Sequence, residues 1–248
     1  MIADALKMAV GTLTTVRVPA PKVIDRRVAG GAMVLGPLAA VPLAAVASVI
    51  VFLGGLIGLP AFASAALALG AVALGSRGLH LDGLADTADG LGASYDRARA
   101  LEVMRRGDSG PTGIATLVLV LLVQVGALAG AISAGHGIAA AAVAVVAGRG
   151  VLSLCCARGV PSARPEGLGA TVAGSVPVWA AAAVFAVLAG AAALVLPWWQ
   201  GLAAVTLGYL AASALLARCV QRLGGVTGDV LGGCVEVAVA GVLLASSF

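Results

Sequence analysis

Charge is what this sequence has least of. Charged residues make up 10% of the 248 positions, against about a quarter in an ordinary soluble domain. With 61% hydrophobic residues and a mean hydropathy of +1.10, a soluble globular chain is excluded and a polytopic membrane protein remains. Cysteine is scarce and unpatterned. Of the four, Cys155 and Cys156 are adjacent, while Cys219 and Cys234 lie at segment ends. No metal or redox spacing results, and all four read as apolar packing residues. No cleavable leader is expected either, since Met1 to Val16 carries Asp4 and Lys7 in a short amphipathic pattern.

The little charge there is has been gathered. Of 15 basic and 11 acidic residues, 11 fall between Arg77 and Gly113. Within that stretch Asp82, Asp86 and Asp89 are spaced i, i+4, i+7. On a helix this places three carboxylates within roughly 60° of one another. Stacked like charges repel and weaken a helix slightly, so a multivalent cation is expected to bind them. Carboxylate oxygens are the usual ligands of Mg²⁺. The alternatives are an acidic solvated loop, or carboxylates favoured by a helix N-terminus.

Apolar runs on either side of this stretch set the architecture. Spans are expected at about 31–58, 61–76, 114–134, 137–156, 176–196, 201–216 and 230–247, each near the roughly 20 residues a bilayer needs. Residues 2–16 form a short interfacial helix within an N-terminal segment, 1–30. The links at 17–27, 77–113, 157–175 and 218–229 hold nearly every charge, and the alternate turns at 59–60, 135–137 and 197–200 hold none. The positive-inside rule then places the charged links and the N-terminus in the cytoplasm. The fold class is an all-α, polytopic membrane bundle of about seven transmembrane helices. It forms one domain, 1–248, with a polar chamber on the cytoplasmic side of the cell (inner) membrane. Small residues in the spans suit close helix packing, within one chain or in a homo-oligomer.

One-sided polarity argues for an enzyme over a transporter, which carries polar groups at the midplane or at both mouths. Only Arg149 and Glu236 lie inside expected spans, and Arg149 is near enough to the end to snorkel. A second concentration of special residues is Arg218, Arg222 and the run from Leu223 to Gly233. Its glycines (Gly225 and Gly228 among them) let backbone approach a ligand, and N–H groups at a following helix start favour phosphate. Asp229 stands there as a cap or a ligand. Arg158 and Arg164 join them from the third link. Acidic groups beside arginines fit a phosphate ester bound with Mg²⁺.

The run His80-Leu81-Asp82-Gly83-Leu84-Ala85-Asp86-Thr87-Ala88-Asp89-Gly90, followed by Glu102-Val103-Met104, Gly110 and Gly113, resembles the cobalamin synthase family. That family is also called adenosylcobinamide-GDP ribazoletransferase. Gly224-Gly225-Val226-Thr227-Gly228-Asp229-Val230-Leu231-Gly232 with Glu236 is similar to its C-terminal signature. Arg17-Val18-Pro19, Gly36-Pro37 and Arg149 fit more loosely, so the resemblance runs along the whole chain. In one place the pattern departs: Arg105-Arg106-Gly107 intervenes before Asp108-Ser109, two positions later than in the family.

The resemblance implies a Mg²⁺-dependent transfer at the last stage of cobalamin assembly. Adenosylcobinamide-GDP would receive α-ribazole, or its 5′-phosphate, and GMP would leave. Asp82, Asp86, Asp89 and His80 are then the candidate catalytic residues. Arg77, Arg149, Arg218, Arg222, Gly225, Thr227, Gly228 and Asp229 are candidates for substrate and phosphate. Asp82, Asp86, Asp89, Asp108, Asp229 and Glu236 are candidates for the metal. His80 lies about 200° from Asp82 in helical phase, which suits an orienting role better than a base. The lipid bilayer is an expected partner and nucleic acid is not. A CDP-alcohol phosphotransferase is the nearest rival, but its motif D-G-x-x-A-R is not completed here: Asp82-Gly83 is followed by Ala85-Asp86, with no Arg in place. A corrinoid or cation transporter is the rival of another class.

Overall fold

The computed structural model describes residues 1–248 and contains twelve α-helices and no β-sheet. In chain order these are α1 (Ile2–Leu13), α2 (Arg26–Val34), α3 (Gly36–Leu56), α4 (Ala61–Gly75), α5 (Leu79–Ala93) and α6 (Arg97–Val103). There follow α7 (Pro111–Ser133), α8 (Gly137–Cys155), α9 (Gly167–Val172), α10 (Val178–Val195), α11 (Trp198–Leu223) and α12 (Gly228–Ala245). Six spans are long and apolar enough to cross a membrane, with α2 and α3 forming one of them, and the bent pair α4–α5 makes a seventh candidate. The protein is a multi-pass membrane helix bundle.

Helix α12 is the axis of the bundle, packed on α11, α5, α8 and α7. Small residues allow this crowding. Ala39, Ala40, Ala44 and Ala47 of α3 and Ala140, Ala141, Ala144 and Ala147 of α8 are all buried where these two helices meet. Such seams rely on close van der Waals contact, because lipid is as apolar as the helices themselves.

The two ends of the bundle are chemically sorted. At one end the charged links hold one another. Arg26 donates to the Gly174 carbonyl at 2.9 Å, Arg97 to that of Ala163 at 3.0 Å, and Arg222 to that of Ser94. At the other end the uncharged turns meet the last residues of the chain. His136 Nε2 lies against the Ser246 carbonyl, and Gln200 donates to that of Phe248 at 2.7 Å.

Three details differ from the expected spans. The first span is divided at Leu35 into α2 and α3, just before Gly36-Pro37, because proline offers no N–H to the turn before it. Helix α11 continues to Leu223, closed by left-handed Gly224, so Arg218 and Arg222 belong to a helix and not to a link. Helix α4 has only 15 residues. It ends where Arg77 and Gly78 both take left-handed backbone, at φ of 60° and 66°. These turn α5 through 90° from α4. Glycine adopts this conformation freely, whereas Arg77 is held in it by its guanidinium, which donates to the carbonyl of Gly11 at 2.9 Å.

Candidate active site

The bend brings the two sequence motifs together. Gly83 has no side chain, and a Cβ there would lie 2.6 Å from the backbone oxygen of Asp229. Helix α5 therefore rests directly on the first turn of α12, with Gly232 of α12 against His80 and Gly83. At this crossing lies a cavity of about 290 Å³, lined by His80, Asp82, Arg164, Thr227, Gly228 and Asp229 among others. That volume is at the lower end for small-molecule sites, enough for a diphosphate and a sugar with the rest of a large substrate outside.

Each wall has a local cause. Thr227 caps α12: its hydroxyl oxygen accepts from Val230 N–H at 3.2 Å and its O–H donates to Asp229 at 3.1 Å. With the capping done by Thr227, the Asp229 carboxylate is free to face Arg164, which it meets at 3.7 Å. Arg164 is fixed from behind by donating to the Leu101 carbonyl at 2.8 Å. Glu166 also faces the cavity.

The aspartates of α5 divide. Asp82 is exposed at the cavity, and Asp86 is buried beneath it, within reach of the charges of Asp82, Asp229 and Asp89. Neither Asp82 nor Asp86 takes part in an ion pair or a side-chain hydrogen bond within the chain. Asp89 is fully engaged: its two oxygens accept from the N–H groups of Gly110 at 2.7 Å and Gly113 at 2.8 Å. It holds the start of α7, where unpaired N–H groups attract a carboxylate.

Several expected site residues are placed elsewhere. Glu236 shares the face of Asp229 but lies about 10 Å deeper along α12. There it accepts from Gln124 at 2.9 Å. Arg149 does not snorkel: it is 1% exposed, with a nitrogen 3.3 Å from His80 Nδ1, and does not line the cavity. His80 is the link between this buried group and the cavity. Arg222 lies over the Tyr95 ring at 4.2 Å, and Arg218 is exposed on α11, so neither reaches the cavity. Arg77 clamps α1, as described. Gly225 is closed against the backbone of Pro161 and Ser162, which serves the chain and not a ligand. Asp108 is exposed in the link before α7. Glu102 is also exposed, held below the usual carboxylate range by its hydrogen bonds from Arg106 and Arg99.

No three His, Cys, Asp or Glu side chains form a ready-made chelate, so the six-carboxylate metal set is not assembled as such. The donor types still suit a hard cation. Mg²⁺ commonly takes only one or two carboxylates and completes its shell with water and substrate phosphate, and Asp82 and Asp86 are uncommitted. Arg164, read from its link as one of several arginines near phosphate, is the one that reaches the cavity. Gln124, which meets Glu236, was hidden from the sequence patterns as a lone amide in an apolar span. Polarity inside a span was the signal that could have singled Gln124 out.

Carboxylates and a guanidinium thus line a polar cavity at one end of a membrane helix bundle. The family described as cobalamin-5-phosphate synthase matches residues 5–247. The adenosylcobinamide-GDP ribazoletransferase of Nocardioides sp. is 45% identical over 242 residues, covering 98% of this chain and 97% of that one. That of Frankia casuarinae is 40% identical over 258 residues, covering 94% and 90%. That of Pseudomonas savastanoi is 39% identical over 75% of this chain and 76% of its own. No solved structure matches. The chain belongs to the cobalamin-5-phosphate synthase family, transferases of the final step of cobalamin synthesis.

Proposed function

We propose that this protein transfers the adenosylcobinamide phosphate moiety of adenosylcobinamide-GDP to α-ribazole, or to its 5′-phosphate, with release of GMP. The meeting of Asp82, Asp229 and Arg164 around one cavity, in a chain of this family, carries the reading. The ribose 3′-hydroxyl oxygen of the ribazole forms a bond to the phosphorus next to the cobinamide arm. The bond from that phosphorus to the bridging oxygen breaks, GMP leaves with the electron pair, and the hydroxyl proton passes to solvent. Such transfers depend on positioning and on charge neutralisation, without a protein nucleophile.

Arg164 and the N–H groups at the start of α12 would receive the diphosphate oxygens. Asp82 and Asp86 would hold Mg²⁺, with water and substrate phosphate completing its shell, and the ion would supply neutralisation of the diphosphate charge when bound. Detergent-solubilised protein is expected to release GMP only when both α-ribazole and Mg²⁺ are present, with EDTA abolishing release. Uptake of substrate into sealed vesicles without GMP release would replace this reading with a transporter.

The charged end, and with it the cavity, faces the cytoplasm of the cell (inner) membrane in this reading. Single cysteines give the test, because the four native ones are buried. Leu59→Cys and Trp199→Cys are expected to react with an impermeant maleimide on intact cells, and Tyr95→Cys only after lysis. The reverse pattern overturns the orientation.

A further inference from the structure

A second cavity, of about 970 Å³, lies between α2, the start of α10 and the residues around 158–159 and 174–175. It shares no lining residue with the site above: Met33 of α2 faces that cavity, while Gly30, Gly31 and Val34 face this one. Its charge is of one sign. Arg26, Arg27 and Arg158 line it and no carboxylate does. None of the three takes part in an ion pair. Arg26 is oriented by donating to the carbonyls of Gly174 and Ala173.

The opposite wall is apolar and aromatic. Trp179, the second residue of α10, is 74% exposed and lines the same cavity. Below it α10 is the least enclosed of the six spans, and Val187, Leu194 and Val195 face outward. A cationic cleft at the polar end of an outward-facing apolar helix, edged by tryptophan, matches the chemistry of an amphiphile with an anionic head. Basic pockets between spanning helices bind phosphate headgroups, and tryptophan favours the headgroup level.

We propose that this cleft is a binding site for an anionic phospholipid. The headgroup phosphate lies among Arg26, Arg27 and Arg158, and the acyl chains run along the outward face of α10. Guanidinium forks pair with phosphate oxygens, and the three arginines have no competing acid.

Tryptophan fluorescence tests this directly, since the chain has three tryptophans and Trp198 and Trp199 lie at the opposite end of α10. In a Trp198→Phe/Trp199→Phe protein, Trp179 alone reports. The protein is placed in nanodiscs of phosphatidylcholine in which a minor fraction of the lipid carries brominated acyl chains. That fraction is phosphatidylglycerol in one preparation and phosphatidylcholine in the other. Brominated phosphatidylglycerol is expected to quench severalfold more than brominated phosphatidylcholine at equal content. Arg27→Gln and Arg158→Gln, whose guanidiniums make no hydrogen bond within the chain, should each reduce that excess. Equal quenching by the two lipids overturns the proposal, as does an excess untouched by either variant. Glycerol 3-phosphate, added to discs without anionic lipid, should leave the Trp179 spectrum unchanged. A response to it with no lipid preference would assign the cleft to soluble phosphate esters and overturn the lipid occupant. None of these readouts depends on turnover.

Discussion

Asp82→Asn is expected to lower GMP release by about a hundredfold or more, the size of removing one member of an electrostatic constellation, with thermal stability kept. Asp82 is exposed at the cavity and holds no other part of the chain, so its loss has a chemical effect and no structural one. Asp229→Ala should behave alike, because Thr227 and not Asp229 caps α12. Asp89→Asn separates the roles. Both Asp89 oxygens accept backbone N–H groups, and an amide turns one acceptor into a donor facing a donor. That change should cost about 1–3 kcal/mol of stability. Melting in detergent beside single-turnover GMP release distinguishes the two outcomes. Near-normal turnover in Asp82→Asn would remove that carboxylate from the mechanism.

The second large effect is expected deep in the bundle. Arg149, Glu236 and Gln124 line a space of about 20 Å³, large enough to hold one bridging water. Arg149→Met removes the positive charge facing Glu236 and the neighbour of His80 Nδ1. Leaving one buried charge without its partner costs on the order of 3–5 kcal/mol, so this variant should fail to accumulate in the membrane or melt early. Adding Glu236→Gln to Arg149→Met should recover most of the loss, since an amide needs no counter-charge and can still meet Gln124. A double variant no more stable than the single would mean that the two groups are not coupled.

Burial and adjacency explain what could be read from the sequence. The apolar runs between charged links gave the six spans, the bent α4–α5 pair as a seventh candidate, and the gathering of charge at one end, because lipid tolerates few charges within a span. The aspartate spacing and the glycine run located both walls of the cavity. What could not be read was commitment. Spacing alone made Asp89 equal to Asp82, although the distant Gly110 and Gly113 consume its oxygens. It made Glu236 the companion of Asp229, since a shared face says nothing of depth. It favoured Arg218 and Arg222, which lie beside the glycine run, over Arg164, which arrives from a link 60 residues upstream of it. Those preferences were for neighbours in sequence, and the cavity is built from neighbours in space.

The short α4 has a mechanical consequence. Its 15 residues rise about 22 Å, while the hydrocarbon of an ordinary bilayer is about 30 Å thick. The bend at Arg77 and Gly78 that ends α4 also carries the cavity wall at Leu79 and His80. The membrane beside this helix must thin locally, or water must enter to meet the bend, and elastic deformation of lipid costs free energy per ångström of mismatch. Bilayer thickness thus bears as a load on the joint that aims Asp82. A thinner membrane relaxes that load, and a thicker, sterol-like one increases it.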